Sequence, residues 1–226
     1  MDPVTRTDEE LFSTVLMAAR IGRAQPIVTK LRKRYEQEWD DPVAGFPYAL
    51  AMVALLLSGR ADQQGDFDYT EVVETLTDLL YHRPEHWLGR FLRIQTRTLL
   101  PADVDEHRAY IATERARATE DAYELIQRQA AGGWQPWYAC TYLLAARLAW
   151  EADRDADRVA GFVSAAAQPP PAPILFPSLG GVMCESFVWY YNEPGVPDRE
   201  TVGTLMDALF PTQSAVRRLR AGRVAR

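Results

Sequence analysis

The stretch ATEDAYELIQRQAAGGWQPWYACTYLLAARLAWEAD, residues 118–153, decides the fold class. Its first half repeats apolar residues at helical spacing and ends at Gly132 and Gly133, and glycine is the usual residue just after a helix. A second apolar pattern opens at Pro136. Proline suits the first turn of a helix because its missing amide hydrogen would be unpaired there. The stretch therefore predicts two helices joined by a short turn, which is a helical hairpin.

Similar patterns fill the rest of the chain, and no segment alternates apolar and polar residues in the way that a strand requires. We therefore predict an all-α fold, with one helical domain over residues 1–210 and a basic C-terminal tail over residues 211–226. Thr7 and Glu10 have the spacing of a capping box, and Asp198 is expected to cap the tenth helix. The segment Tyr48–Leu57 is apolar nearly all round, so it must be covered either by its own chain or by a second copy. A homodimer therefore remains open.

The composition is typical of a globular protein and argues against a general nucleic-acid-binding surface. With 226 residues, 47% of them hydrophobic and 25% charged, the chain has the make-up of a globular protein. Its formal net charge of -6 argues against a surface that attracts nucleic acid. The exception is the tail, because the last ten residues carry five arginines and no acid. Lysine occurs only at Lys30 and Lys33, and this bias towards arginine suggests a GC-rich bacterium.

The two cysteines, Cys140 and Cys184, lie among apolar residues, which predicts buried thiols in a reducing compartment rather than a disulfide. The first ten residues lack the pattern of a secretory signal. The longest apolar run is about half of the ~20 residues that a spanning helix needs. We therefore expect a cytoplasmic protein without a transmembrane segment. No glycine-rich phosphate loop follows a strand, and no cofactor is expected.

The prolines that open helices lie close to aromatic residues at irregular intervals, namely Pro47, Pro84, Pro136 and Pro177. Together with Trp87, Leu88, Gly89 and Phe91, the hairpin over residues 121–147 resembles the tetratricopeptide repeat. The resemblance covers about half of the chain and is degenerate, since Leu88 and Gly89 follow the tryptophan without the usual gap. It implies antiparallel hairpins stacked as a short solenoid, or as an irregular helical array, with a concave surface that binds peptides or partner proteins.

Two groups of residues are the candidate binding sites. Arg90, Arg93 and Arg97 stand about one helical turn apart and could hold a carboxylate, a phosphate or an acidic partner. They could equally pair with the acids of the next helix, Asp103, Asp105 and Glu106. The second group is an unusual density of tyrosines and tryptophans that either line a groove or pack in the core. The group comprises Trp134, Trp137, Tyr138, Tyr142, Trp189, Tyr190 and Tyr191. Core packing is the favoured interpretation for most of them, and Trp134, Tyr190 and Tyr191, at helix ends, are expected to reach a surface. The candidate binding residues are Trp134, Trp137, Tyr138, Tyr190 and Tyr191.

A weaker candidate is metal chemistry. His82, Glu85 and His86 match the H-x-x-E-H pattern of an inverted zinc-peptidase motif. That motif needs an unbroken helix, and Pro84 would interrupt it, so a polar turn between two helices is the favoured interpretation. His107 is the only further histidine, and Asp62, Asp66, Asp68 and Glu71 form an acidic cluster best read as a solvated linker.

Two functional hypotheses result. The first is a non-catalytic module of a bacterial cytoplasm that binds a protein or peptide partner through the arginine face and the aromatic residues. The second is a small enzyme with a pocket between hairpins, in which His82, Glu85 and His86 or the tyrosines act as acid and base groups. Binding of nucleic acid is expected only through the basic tail.

Overall fold

The computed structural model describes residues 5–38, 41, 43–58, 69–99, 108–131, 134–168, 170–213 and 216. These residues form helices and no strand, which confirms the all-α prediction. In chain order the helices are α1 (Arg6–Arg20), α2 (Gln25–Gln37), α3 (Gly45–Leu57), α4 (Tyr69–His82), α5 (Trp87–Thr98), α6 (Arg108–Ala130), α7 (Tyr138–Asp153), α8 (Ala156–Ala167), α9 (Leu179–Asn192) and α10 (Arg199–Leu209).

Contacts between residues group the chain into two compact units, Met1–Glu114 and Arg115–Arg226, and the boundary falls inside α6. In the first unit, α3 packs against α1, α2, α4 and α5. In the second unit, α7 packs against α8 and α9, and α10 packs against α9 and α8. The single domain over residues 1–210 stays a prediction, because two groups of contacts can belong to one domain or to two. The tetratricopeptide-like solenoid also stays a prediction, because the described helices do not show that repeat.

The apolar helix α3 is the centre of the first unit. Ten of its 13 residues are buried. Helices of the same chain cover it, so its burial does not depend on a second copy. A side chain at Gly45 would place a Cβ 3.0 Å from both Thr75 Cγ2 and Tyr35 Cε2. Glycine at this position therefore lets α3 approach its neighbours closely.

The start of α1 differs from the predicted capping box. Thr5 is the N-cap: its Oγ1 accepts a hydrogen bond from the Asp8 N–H at 3.2 Å, and Asp8 Oδ2 accepts one from the Thr5 N–H at 3.0 Å. The same spacing of threonine and acid thus occurs twice, and the earlier pair begins the helix two residues sooner than Thr7 would. Asp198 does occupy the N-cap position of α10, but its side chain makes no capping bond and its φ is 54°.

No helix within the described ranges is both long and apolar enough to cross a membrane. The basic residues after Val216 lie outside those ranges, and so the prediction of a flexible tail remains a prediction.

Candidate functional site

The three arginines predicted as a binding face lie on α5, and all of them are buried. Arg90, Arg93 and Arg97 are 4%, 9% and 6% exposed. Every residue of α5 is buried, including its polar residues. The structure thus places this face inside the protein and not on an open surface.

Contacts within the first unit hold these arginines. Arg97 Nε donates to Glu114 Oε2 at 3.0 Å, and both side chains are almost completely buried. Arg93 Nη1 donates to Thr77 Oγ1 at 3.0 Å. Arg90 Nη2 donates to the carbonyl oxygen of Pro84 at 3.2 Å. These bonds join α5 to α4, to the turn before α5 and to α6, which favours a structural role for the three guanidinium groups.

The sequence predicted that acidic residues after α5 could pair with these arginines. The predicted partners Asp103, Asp105 and Glu106 lie outside the described residues. Among the described residues, Glu114 of α6 pairs with Arg97, a contact that the sequence did not indicate.

The predicted polar turn between the fourth and fifth helices is confirmed. α4 ends at His82 and α5 begins at Trp87, with Pro84 and Glu85 in the turn between them. His86 is the N-cap of α5, and its Nδ1 accepts a hydrogen bond from the Gly89 N–H at 3.0 Å. Its ring lies 4.5 Å from the Phe46 ring, centroid to centroid. Burial lowers the pKa of His86, which favours the neutral ring that the cap requires.

The residues considered for metal binding do not converge within the described part of the chain. His82 is exposed and lies 3.9 Å from the Asp78 carboxylate, whereas His86 is committed to the helix cap. Glu71 pairs with Arg32 at 3.1 Å. His107, Asp62, Asp66 and Asp68 lie outside the described residues. Among the residues that are described, no three histidine, cysteine, aspartate or glutamate side chains form a group that could hold a metal ion.

The aromatic residues at the start of α7 form a contiguous, half-buried surface. We call Trp134, Tyr138 and Tyr142 the aromatic cluster. The Trp134 ring meets Tyr138 edge-on at 5.8 Å between centroids and stacks on Tyr142 at 6.1 Å with an interplanar angle of 25°. Partial burial raises the pKa of Tyr142, so its phenol stays protonated at neutral pH. The rest of α7 as far as Trp150 is buried, and the cluster is therefore the accessible part of its first two turns.

Trp137, also predicted as a site residue, precedes α7 and is half-buried. Its Nε1 is enclosed and has no hydrogen-bond acceptor among the described residues. The indole nitrogen of Trp137 therefore does not face solvent.

Tyr190 and Tyr191 are adjacent in sequence but have different environments. Tyr190 is 0% exposed, and its hydroxyl donates to the carbonyl oxygen of Pro197 at 2.5 Å. Tyr191 lines an open groove between the end of α9 and the start of α10. Tyr190 is thus a core residue, and Tyr191 is a surface residue of the second unit.

Sequence reasoning missed a charged network on the second unit. The Arg147 guanidinium carbon lies 5.0 Å from the centroid of the Trp189 ring. Arg147 Nε also donates to Glu151 Oε1 at 2.8 Å, and Arg115 pairs with the other carboxylate oxygen. The spacing of four residues between Arg147 and Glu151 was the available signal. The network stabilises the packing of α6, α7 and α9.

The two cysteines are buried, as predicted. Burial raises the pKa of the Cys140 thiol well above its usual range and that of Cys184 to about 12. Thiols that stay protonated are poor nucleophiles, because the thiolate is the reactive form.

Comparison with protein-family models, with curated proteins and with solved structures found no match to this chain.

Proposed function

We propose that the protein is a non-catalytic helical module that binds a partner protein or peptide, and that the aromatic cluster makes the contact. The observation that supports this proposal is that three aromatic rings in contact through Trp134 are half-buried, and so partly accessible, at the start of α7. Tryptophan and tyrosine dominate binding energy at interfaces because they combine a large apolar area with one hydrogen-bonding group.

The cluster is also preorganised. Trp134 contacts both tyrosines, and each tyrosine belongs to a helix whose following turns are buried. Rings held in this way lose little conformational freedom when a partner binds, so more of the contact energy appears as affinity.

The burial of the arginines changes the expected chemistry of the partner. Because Arg90, Arg93 and Arg97 are interior, an acidic partner is not required. The cluster instead fits apolar side chains of an extended segment or of a helix, with the tyrosine hydroxyls forming hydrogen bonds at the rim. Binding of this kind should depend little on ionic strength, because salt screens charge pairs and not apolar contacts.

Other observations support a binding role over the enzyme alternative. His86, the central residue of that alternative, caps α5 with its Nδ1. Both described cysteines are buried thiols with raised pKa values. Their burial in the reduced form also supports the proposed cytoplasmic location. The arginine-rich composition supports the proposed bacterial source, and the packing of α7 and α9, each against its successor, supports the stacked-hairpin arrangement.

The test is site-directed photocrosslinking in the native host. A benzophenone amino acid replaces Tyr138 or Tyr142 of the cluster, and in the control it replaces Tyr81, which is 81% exposed. We expect one discrete adduct from the cluster positions that the control position does not give.

The adduct partner is then titrated against purified variants. Trp134→Ala and Tyr138→Ala should each weaken binding by about tenfold or more, since truncation of a central aromatic contact costs ~2 kcal/mol. Tyr81→Ala should bind as the wild type does, and all variants should retain the helical circular dichroism signal. Equal binding by both cluster variants and the wild type would refute the proposal.

A further inference from the structure

The groove beside α10 has dimensions suited to a small molecule. Tyr191 forms one wall, and Arg199, Glu200, Gly203 and Thr204 of α10 form the other. The space between them is about 520 Å³, within the range of small-molecule sites.

Arg199 is the distinctive group in the groove. Its Nη2 donates to the backbone carbonyl of Glu193, which fixes the guanidinium in place. Its Nε is enclosed and has no acceptor among the described residues, and no carboxylate of the described chain forms an ion pair with the guanidinium. The enclosed Nε is out of reach of a ligand, but the rest of the half-buried guanidinium lines the groove and can donate charge-assisted hydrogen bonds to an anion there.

Two further features act on the charge in the groove. The positive end of the α10 dipole lies at Arg199, and the Asp198 side chain makes no capping bond there. Glu200 acts in the opposite sense, because its exposed carboxylate lines the same groove. The site is therefore suited to one negative charge placed at Arg199 and not to a polyanion such as a nucleic acid.

From this geometry we infer that the groove binds a carboxylate attached to an apolar or aromatic group. The carboxylate accepts charge-assisted hydrogen bonds from the Arg199 guanidinium, and the apolar part lies against the Tyr191 ring. The carboxylate belongs either to a free organic acid or to the C-terminus of a peptide. The inference does not depend on the aromatic cluster, so neither result decides the other.

Calorimetric titration with three probes tests the chemistry. Phenylacetate carries the carboxylate, phenylacetamide has the same shape without charge, and N-acetylphenylalanine presents a carboxylate after a peptide bond. We expect millimolar binding of at least one acid and no binding of the amide. Preference for phenylacetate identifies a free acid, and preference for N-acetylphenylalanine identifies a peptide end. Binding of the amide as strong as that of phenylacetate, or binding of neither acid, overturns the inference.

Variants that each remove one charge test whether the carboxylate binds at Arg199. Arg199→Gln should weaken binding of the acid by about tenfold or more, the effect of losing a hydrogen bond to a charged group. Glu200→Gln should strengthen it severalfold, because it removes a nearby like charge. The matched control is Arg158→Gln, an exposed arginine of the same unit that pairs with Asp155 at 3.5 Å, and it should leave affinity unchanged. If Arg199→Gln fails to fold, Glu200→Gln decides the matter: stronger binding supports the site, and unchanged binding overturns it.

Discussion

Removal of one partner from the buried Arg97–Glu114 pair should destabilise the protein severely. The two atoms Arg97 Nε and Glu114 Oε2 lie 3.0 Å apart, and the side chains are only 8% and 3% exposed. Arg97→Met keeps most of the apolar volume but leaves the Glu114 carboxylate in the interior without this donor. Breaking a buried ion pair by removing one partner costs about 3–5 kcal/mol. Domains have total stabilities of about 5–15 kcal/mol, so a large fraction would be lost.

The matched control is an exposed pair of the same geometry in the same unit. Arg34 Nε also lies 3.0 Å from a glutamate oxygen, that of Glu38, but the side chains are 59% and 43% exposed. Solvent screens such a pair, and Arg34→Met should cost less than about 1 kcal/mol. The double variant Arg97→Met/Glu114→Leu should recover most of the loss, because replacing a whole buried pair by apolar residues is close to neutral.

Urea unfolding followed by circular dichroism measures these differences. With a slope of ~2 kcal/mol per molar urea, the Arg97→Met midpoint should fall by roughly 1.5–2.5 M. Midpoints are preferable to extrapolated free energies because the two compact units need not unfold in a single step. The reasoning is refuted if Arg97→Met shifts the midpoint no more than Arg34→Met, or if the double variant is as unstable as the sum of its single changes.

Three further outcomes are expected. Gly89→Ala should lower stability by about 1–2 kcal/mol even after the gain in helix propensity, because its Cβ would lie 2.8 Å from Leu79 Cδ2 and 3.0 Å from His86 Nδ1. Gly161→Ala, where nothing lies within 4 Å, should raise the thermal midpoint, and equal shifts for both would contradict the packing argument. Burial lowers the pKa of His86 below its usual 6.5, so the unfolded chain gains a proton first as the pH falls through that value and stability declines. His86→Asn keeps a capping oxygen and should flatten this decline in melts at decreasing pH, whereas His82→Asn should not. Burial raises the pKa of Cys184 from 9.0 to about 12 and also raises that of Cys140, so stability should fall between those pH values as the unfolded thiols ionise. The variant Cys140→Ala/Cys184→Ala should show a shallower fall, and an unchanged slope would exclude the thiols as its cause.

The helices were predictable because their signals are local. Apolar periodicity and proline predicted the helices α6 and α7, and the apolar run of α3 identified a central helix. The start of α1 was misplaced by two residues because two threonines offered the same capping pattern.

The position of α5 was not predictable in the same way. Its arginines repeat on one side of the helix, a pattern that usually faces water. In the structure the buried Arg93 bonds to Thr77, 16 residues away, and the buried Arg97 bonds to Glu114, 17 residues away. Contacts between residues so far apart in sequence form only in the folded chain.

The two candidate sites also differ in how far the sequence indicated them. The aromatic cluster lies within nine residues of chain and was indicated by the density of rings. The groove requires the turn over residues 193–198 to bring Arg199 beside Tyr191, and neither residue alone indicated a cavity.

A buried helix that carries charged residues can pack in fewer orientations than an apolar helix. An apolar helix can rotate or slide by one residue and still pack against its neighbours, whereas in α5 such a movement would break the hydrogen bonds from Arg93 to Thr77 and from Arg97 to Glu114. Loss of these bonds is costly because the charged groups lie in a medium of low polarity. The polar contacts of α5 within the first unit thus favour one rotation of the helix and one position along its axis.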